Sequence, residues 1–179
     1  PMKELPDISK KEYGKKIGRL KNKTKGKLIV KEYPTASAHV GHFRHVLQEL
    51  NIKKDFQPDI IFVDYLNICA SQRIRPGAGA NSYTLVKSIA EELRGLAVEH
   101  DLPIVSATQT TRSGYASTDI GLEDTSESFG LPAPADLMFA LITSEELEDL
   151  DQLVVKQLKN RYNDPTIFKR FVIGVDRSR

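Results

Sequence analysis

Asp59-Ile60-Ile61-Phe62-Val63-Asp64-Tyr65-Leu66-Asn67 decides how this chain is read. An apolar, β-branched run that stops on one carboxylate, with Pro58 before it and a polar loop after Ile68, reads as a central parallel strand. The carboxyl end of such a strand opens on the ligand crevice of an α/β sheet, so Asp64 is a charge delivered to a site. Magnesium-bound nucleotide suits a lone carboxylate there, because Mg²⁺ takes hard oxygen ligands. The plain alternative is an Asp that caps the loop behind it.

Outward from that strand the sequence alternates strand and helix patterns, the signature of a mostly parallel sheet with helices on both faces. Leu28-Ile29-Val30 predicts a short strand before Tyr33-Pro34. Val40, Phe43, Val46, Leu47 and Leu50 recur at helical spacing over residues 37–50. A second helix, capped by Ser82, buries Val86, Ile89, Ala90, Leu93 and Leu96 and ends before Pro103. Residues 103–109 read as another strand with a polar terminus at Gln109, and residues 136–143 as a third. Past the acidic turn around Glu145 and Asp149, residues 153–158 and 168–175 form two strands joined by Asn163-Asp164-Pro165, which is hairpin chemistry. The C-terminal end of the sheet is therefore expected to be antiparallel.

With 179 residues and 40% hydrophobic content, one α/β domain with a sizeable core is the default. No apolar stretch approaches the roughly 20 residues that span a bilayer, and no signal-peptide pattern opens the chain, so a cytoplasmic protein is expected. The lone Cys69 excludes an intrachain disulfide framework and a cysteine zinc site; it reads as a small buried residue near a strand end. The net charge of +2 hides an asymmetry. Residues 1–27 hold ten Lys or Arg against three acids, giving +7 there and −5 in residues 28–179. That basic leader, helical or disordered, could track a phosphate backbone or simply be a solvated terminus. Within it, Ser9-Lys10-Lys11-Glu12 marks a helix start running to about Leu20.

Two long polar loops leave the carboxyl ends of predicted strands. Residues 71–81, with Arg73, Arg75, Gly77 and Gly79, follow the Asp64 strand; residues 110–130 follow Gln109. Long loops in a compact domain are functional or disordered, and their shared edge favours function.

Val63-Asp64-Tyr65-Leu66, then Ser106-Ala107-Thr108-Gln109 with Arg112 behind it, then Ser126-Glu127-Ser128 through Ala135-Asp136-Leu137, then Lys159-Asn160-Arg161 occur in the order and rough spacing of one family. From about residue 28 onward the chain resembles the DnaB-type hexameric replicative DNA helicases, those of tailed bacteriophages most of all. The resemblance implies a RecA-like P-loop NTPase core, here a partial motor domain over 28–179 whose first, phosphate-loop strand is missing. It implies ATP and Mg²⁺ as cofactors, single-stranded DNA as track, a homo-hexamer at full length, and a primase and a helicase loader as partners.

What the resemblance assigns can be checked against chemistry. Asp64 would be the metal carboxylate, holding through water the Mg²⁺ that bridges the β and γ phosphates. Gln109 would lie beside the γ-phosphate and report its loss, since an amide both donates and accepts. Lys159 and Arg161 alternate with Asn160, so on an extended strand they share a face. In the family such a pair reaches the neighbouring subunit's nucleotide, where a guanidinium stabilises charge during phosphoryl transfer. Arg73, Arg75 and Arg112 would meet DNA phosphates, with hydroxyls or amides of Ser126, Ser128 and Gly130. With only Tyr115 and Phe129 as loop aromatics, backbone grip rather than base stacking is expected. Bacterial members carry Arg where Ser126 stands, which puts that contact in doubt.

No Gly-x-x-x-x-Gly-Lys-Ser or Thr occurs in the 179 residues, although that loop supplies the amides and Lys that cradle phosphates. In the family it lies upstream, with the glutamate that activates water; Tyr65 cannot replace that base, because a phenol is a poor proton acceptor at neutral pH. The chain reads as a C-terminal part of a motor that alone neither binds ATP tightly nor hydrolyses it. Two other readings stand beside it: a RecA-like interaction module without nucleotide chemistry, and the core of a RecA-type recombinase. His39, His42 and His45 recur every third residue, but their directions spread around the helix and no thiol or carboxylate completes a zinc set.

Overall fold

The computed structural model describes residues 7–75, 79–110, 121–122, 132–164 and 166–176. In chain order the elements are α1 (Lys10–Lys23), α2 (Val40–Lys54), β1 (Ile61–Val63), α3 (Ser82–His100), β2 (Ile104–Ser106), β3 (Leu137–Ile142), α4 (Glu145–Asp149), β4 (Gln152–Asn160) and β5 (Arg170–Gly174). A 3₁₀ turn, Leu66–Ile68, follows β1.

β1 and β2 pair in parallel, Val63 opposite Ser106, as a strand–helix–strand crossover through α3 requires. β3, β4 and β5 form an antiparallel sheet in that order, with a register shift between Met138 and Phe139. The C-terminal hairpin follows the sequence reading. Among the described residues no backbone hydrogen bond joins the two sheets. Yet they share a core: Val63 of β1 and Met138 of β3 both pack on the cluster of Leu66, Cys69, Val86, Ile89, Ala90 and Leu93. Leu96 and Ile89 are the most deeply buried side chains, so the predicted stripe of α3 is the heart of the molecule.

Helix boundaries follow local chemistry. Ser9 accepts from the Glu12 N–H and caps α1, none of whose residues is buried. α2 starts at His39, whose Nδ1 accepts from the Gly41 N–H at 3.0 Å, while His42 Nδ1 accepts from the His39 N–H at 3.2 Å. Burial and the neighbouring His42 both lower the His39 pKa, which keeps the ring an acceptor. Asn81, not Ser82, caps α3, accepting from the Thr84 N–H at 2.8 Å. The expected acidic turn is the short helix α4, capped by Ser144.

Two expectations change. Residues 28–30 form no strand: among the described residues no strand pairs with them, and Leu28 and Val30 are exposed. Among the described residues no helix covers the second face of β1 to β3: Phe62 is 68% exposed, Phe139 49% and Leu141 68%, with Val105 and Leu137 also exposed. Among the described residues no helix is long and apolar enough to cross a membrane.

Candidate functional site

Parallel register brings the carboxyl ends of β1 and β2 level, and side chains tie them there. The Leu66 N–H donates to the Ala107 carbonyl at 3.1 Å, Ser106 Oγ to the Val63 carbonyl at 2.8 Å, and Thr108 Oγ1 to Asn67 Oδ1 at 2.8 Å. Asp64 stands exposed on this rim, and its carboxylate makes no hydrogen bond or ion pair among the described residues. Gln109, three residues past β2, is held to the residue after Asp64: its Nε2 donates to the Tyr65 hydroxyl at 3.3 Å. The acid and the amide chosen from the sequence thus lie on neighbouring strand ends. Tyr65, considered only as a base, emerges instead as the anchor of Gln109. A single open carboxylate fits Mg²⁺, which keeps several waters and needs one or two protein carboxylates beside substrate phosphates.

Lys159 and Arg161 form a second constellation at the end of β4. Alternation puts both side chains against the turn 132–136. Lys159 Nζ donates to the carbonyls of Pro132 at 2.6 Å and Ala133 at 3.2 Å, and Arg161 Nη2 to that of Ala133 at 3.1 Å. Arg161 Nε lies 3.1 Å from Asp136 Oδ1, the oxygen that also takes Arg94 Nη1 at 2.8 Å. Two guanidinium groups therefore share one carboxylate oxygen, with Lys159 on the carbonyls beside them. The Arg94 hydrogen bond, with the charges of Arg94 and Arg161, holds the Asp136 carboxyl below its usual range. Partial burial and then Arg161 lower the Lys159 pKa. Among the described residues these two cations make no contact with Asp64 or Gln109 of their own chain.

A third arrangement holds the loop after β1. Glu92 of α3 is buried, yet its carboxylate accepts from Ser71 Oγ at 2.5 Å, Ser88 Oγ at 3.2 Å, the Gln72 N–H at 2.8 Å and the Arg73 N–H at 3.2 Å. Burial raises its pKa, but those four donors outweigh burial and leave it lowered. Sequence reasoning missed Glu92; the signal was an acid among the apolar positions of α3, four residues after Ser88. Arg73, expected to be open to phosphate, pairs with Glu91 at 3.0 Å, while Arg75 is exposed. Arg112, Ser126, Ser128 and Gly130 lie outside the described residues.

Residues 3–169 match the family described as DnaB-like helicase C terminal domain. A DnaB-like replicative helicase of Enterobacteria phage T4 is 48% identical over 171 residues, which cover 95% of this chain and 36% of that protein. A probable plasmid replicative DNA helicase of Chlamydia muridarum is 39% identical over 61 residues, 34% of this chain and 12% of that protein. Among solved structures, an ATPase domain superposes with a TM-score of 0.68 at 19% identity, over 94% of this chain and 58% of that one. A DnaB-like replicative helicase studied with its interactions with primase gives 0.67 at 19% identity, over 93% and 39%. The chain spans about a third of the phage T4 relative's length.

Proposed function

Because this chain belongs to the DnaB-like helicase C-terminal domain family, we propose that it supplies part of an ATP-driven replicative motor that moves along single-stranded DNA and unwinds the duplex at the fork in the cytoplasm. The observation that carries this reading is an open Asp64 carboxylate directly after β1, with the Gln109 amide that follows the neighbouring parallel strand held on Tyr65.

Asp64 binds, through water, the cation that accompanies the nucleotide. Mg²⁺ supplies neutralisation of the β and γ phosphate charge. Gln109 senses the γ-phosphate, and its hydrogen bond to Tyr65 gives the amide a resting orientation. Lys159 and Arg161 act on the nucleotide of a neighbouring copy in a homo-hexamer, which accounts for their separate constellation. Arg73 and Arg75 meet the DNA backbone, Arg73 after exchanging Glu91 for phosphate; Arg112, Ser126, Ser128 and Gly130 extend that contact. A primase and a helicase loader dock on the assembled ring.

The test uses the full-length protein. ATP hydrolysis and strand displacement should both be lost in Asp64→Ala while ring assembly persists; a full-length Asp64→Ala ring that still hydrolyses ATP would overturn the assignment. The rival reading, a nucleotide-free interaction module, draws on the absence of a Gly-Lys phosphate loop from these residues. It requires that the full-length protein bind its partners equally well with and without nucleotide.

A further inference from the structure

We propose that α1 is a second nucleic-acid site of this protein, which holds by its phosphates the strand that the motor displaces. Three observations carry this. First, α1 sets seven Lys or Arg and one Glu in 14 residues, while residues 28–179 sum to −5, so attraction for a polyanion is concentrated on this one helix. Every residue of α1 except Gly18 is exposed, and its one ion pair among the described residues is internal, Lys16 with Glu12 at 3.9 Å. Second, Lys11, Lys15, Arg19 and Lys23 follow at four-residue steps, where like charges repel and weaken a helix. A row of phosphates turns that repulsion into attraction. Third, Gly14 and Gly18 lie one turn apart, with nothing within 4 Å of where a Cβ would stand on either. At about 100° per residue, Lys10 and Lys21 border this bare strip on one side and Lys11 and Lys15 on the other. A sugar–phosphate backbone fits a strip with cations on both flanks.

Tyr13, Ile17 and Leu20 occupy a different side of the helix, so the strip stays open whatever they meet. A lipid surface is the poorer occupant, because burial among headgroups needs a broad apolar face, and α1 offers three such side chains. α1 also takes no part in the contacts at Tyr65, Glu92 or Arg161, which belong to the nucleotide and the track in the motor reading. Unwinding releases a second strand of the same charge, and α1 is free to meet it. Naming that strand rests on the motor reading; the backbone site itself does not.

The 179-residue chain should bind a labelled single strand of about 20 nucleotides, with an affinity that falls steeply as salt rises. Replacing three flanking cations together, Lys11→Gln, Lys15→Gln and Lys21→Gln, should reduce the slope of log affinity against log salt by about 2, and weaken binding about 100-fold at about 0.1 M salt. Gln keeps helix propensity and the positions are exposed, so circular dichroism and Tm should match the parent. Full-length rings are then offered forks whose displaced arm is either ordinary DNA or uncharged methylphosphonate. The parent ring should hold the charged arm about tenfold tighter, the variant should hold both forks alike, and the two rings should bind an unforked strand equally. An unchanged salt slope, or an arm preference that survives in the variant, would overturn the proposal. So would an equal loss on the unforked strand, which assigns α1 to the track, or tighter binding of the chain to phosphatidylserine vesicles than to DNA. A ring that shows the arm preference without hydrolysing ATP leaves the site standing and counts against the motor reading alone.

Discussion

Asp136 grips Arg161 twice: its carbonyl accepts the Arg161 N–H at 2.9 Å, and its Oδ1 lies 3.1 Å from the guanidinium Nε. With Nη2 on the Ala133 carbonyl, the plane of the guanidinium is fixed, and Nη1 has no partner among the described residues. Arg94 secures the carboxylate from the other side. Asp136 thus orients the cation that we propose acts on a neighbouring copy's nucleotide, as outer partners orient metal ligands.

Asp136→Asn should therefore lower ATP hydrolysis by the full-length ring about tenfold, with nucleotide affinity unchanged. Because the pair is partly exposed, the stability of the isolated chain should change by less than about 1 kcal/mol. Single-turnover hydrolysis and urea titration measure the two; a large stability loss with normal hydrolysis would make Asp136 structural only.

Arg161→Ala should go further. Loss of a guanidinium that neutralises transition-state charge costs on the order of 10³-fold in hydrolysis and spares nucleotide binding. Rings mixed from Arg161→Ala and Asp64→Ala subunits should regain activity, because each variant supplies what its neighbour lacks. Failure to bind nucleotide would place Arg161 in its own subunit's site.

The 179-residue chain alone should show no ATP hydrolysis above buffer and no saturable nucleotide binding by calorimetry at millimolar ATP, since no phosphate loop occurs within it. Robust turnover would contradict this.

Glu92→Ala should destabilise the chain by about 3 kcal/mol, because the Gln72 and Arg73 N–H groups and two serine hydroxyls lose a shared buried acceptor. The pH dependence has a definite sign. The folded carboxyl lies below its ordinary value of 4.5, so its contribution is complete above that value and fades as pH falls through it toward the folded pKa. Urea midpoints compared at about pH 7 and about pH 4 should converge between wild type and Glu92→Gln at the acid end. Parallel pH curves would mean the carboxylate is not the group that holds the loop.

Much of the fold was legible in residue pattern. The stripe Val86, Ile89, Ala90, Leu93 and Leu96 forms the buried face of α3, and the hairpin chemistry at Asn163-Asp164 joins β4 to β5. The place of Asp64 directly after β1 was legible because it ends an apolar run; Gln109, expected at the end of its strand, lies three residues past β2. Contacts between distant segments were not. Residues 28–30 have β composition, but a strand exists only where a neighbour supplies the other half of its hydrogen bonds. The cradle for Lys159 is 27 residues away at Pro132, and no local spacing encodes that meeting. Asn81 displaced Ser82 as helix cap because both are good acceptors, and one residue of backbone decides between them.

The bonds Leu66 to Ala107 and Thr108 to Asn67 have a mechanical corollary. They carry the β1–β2 ladder past its last paired residues, so the loops bearing the acid and the amide behave as a single stiff plate. Sliding one against the other would require breaking both bonds at once.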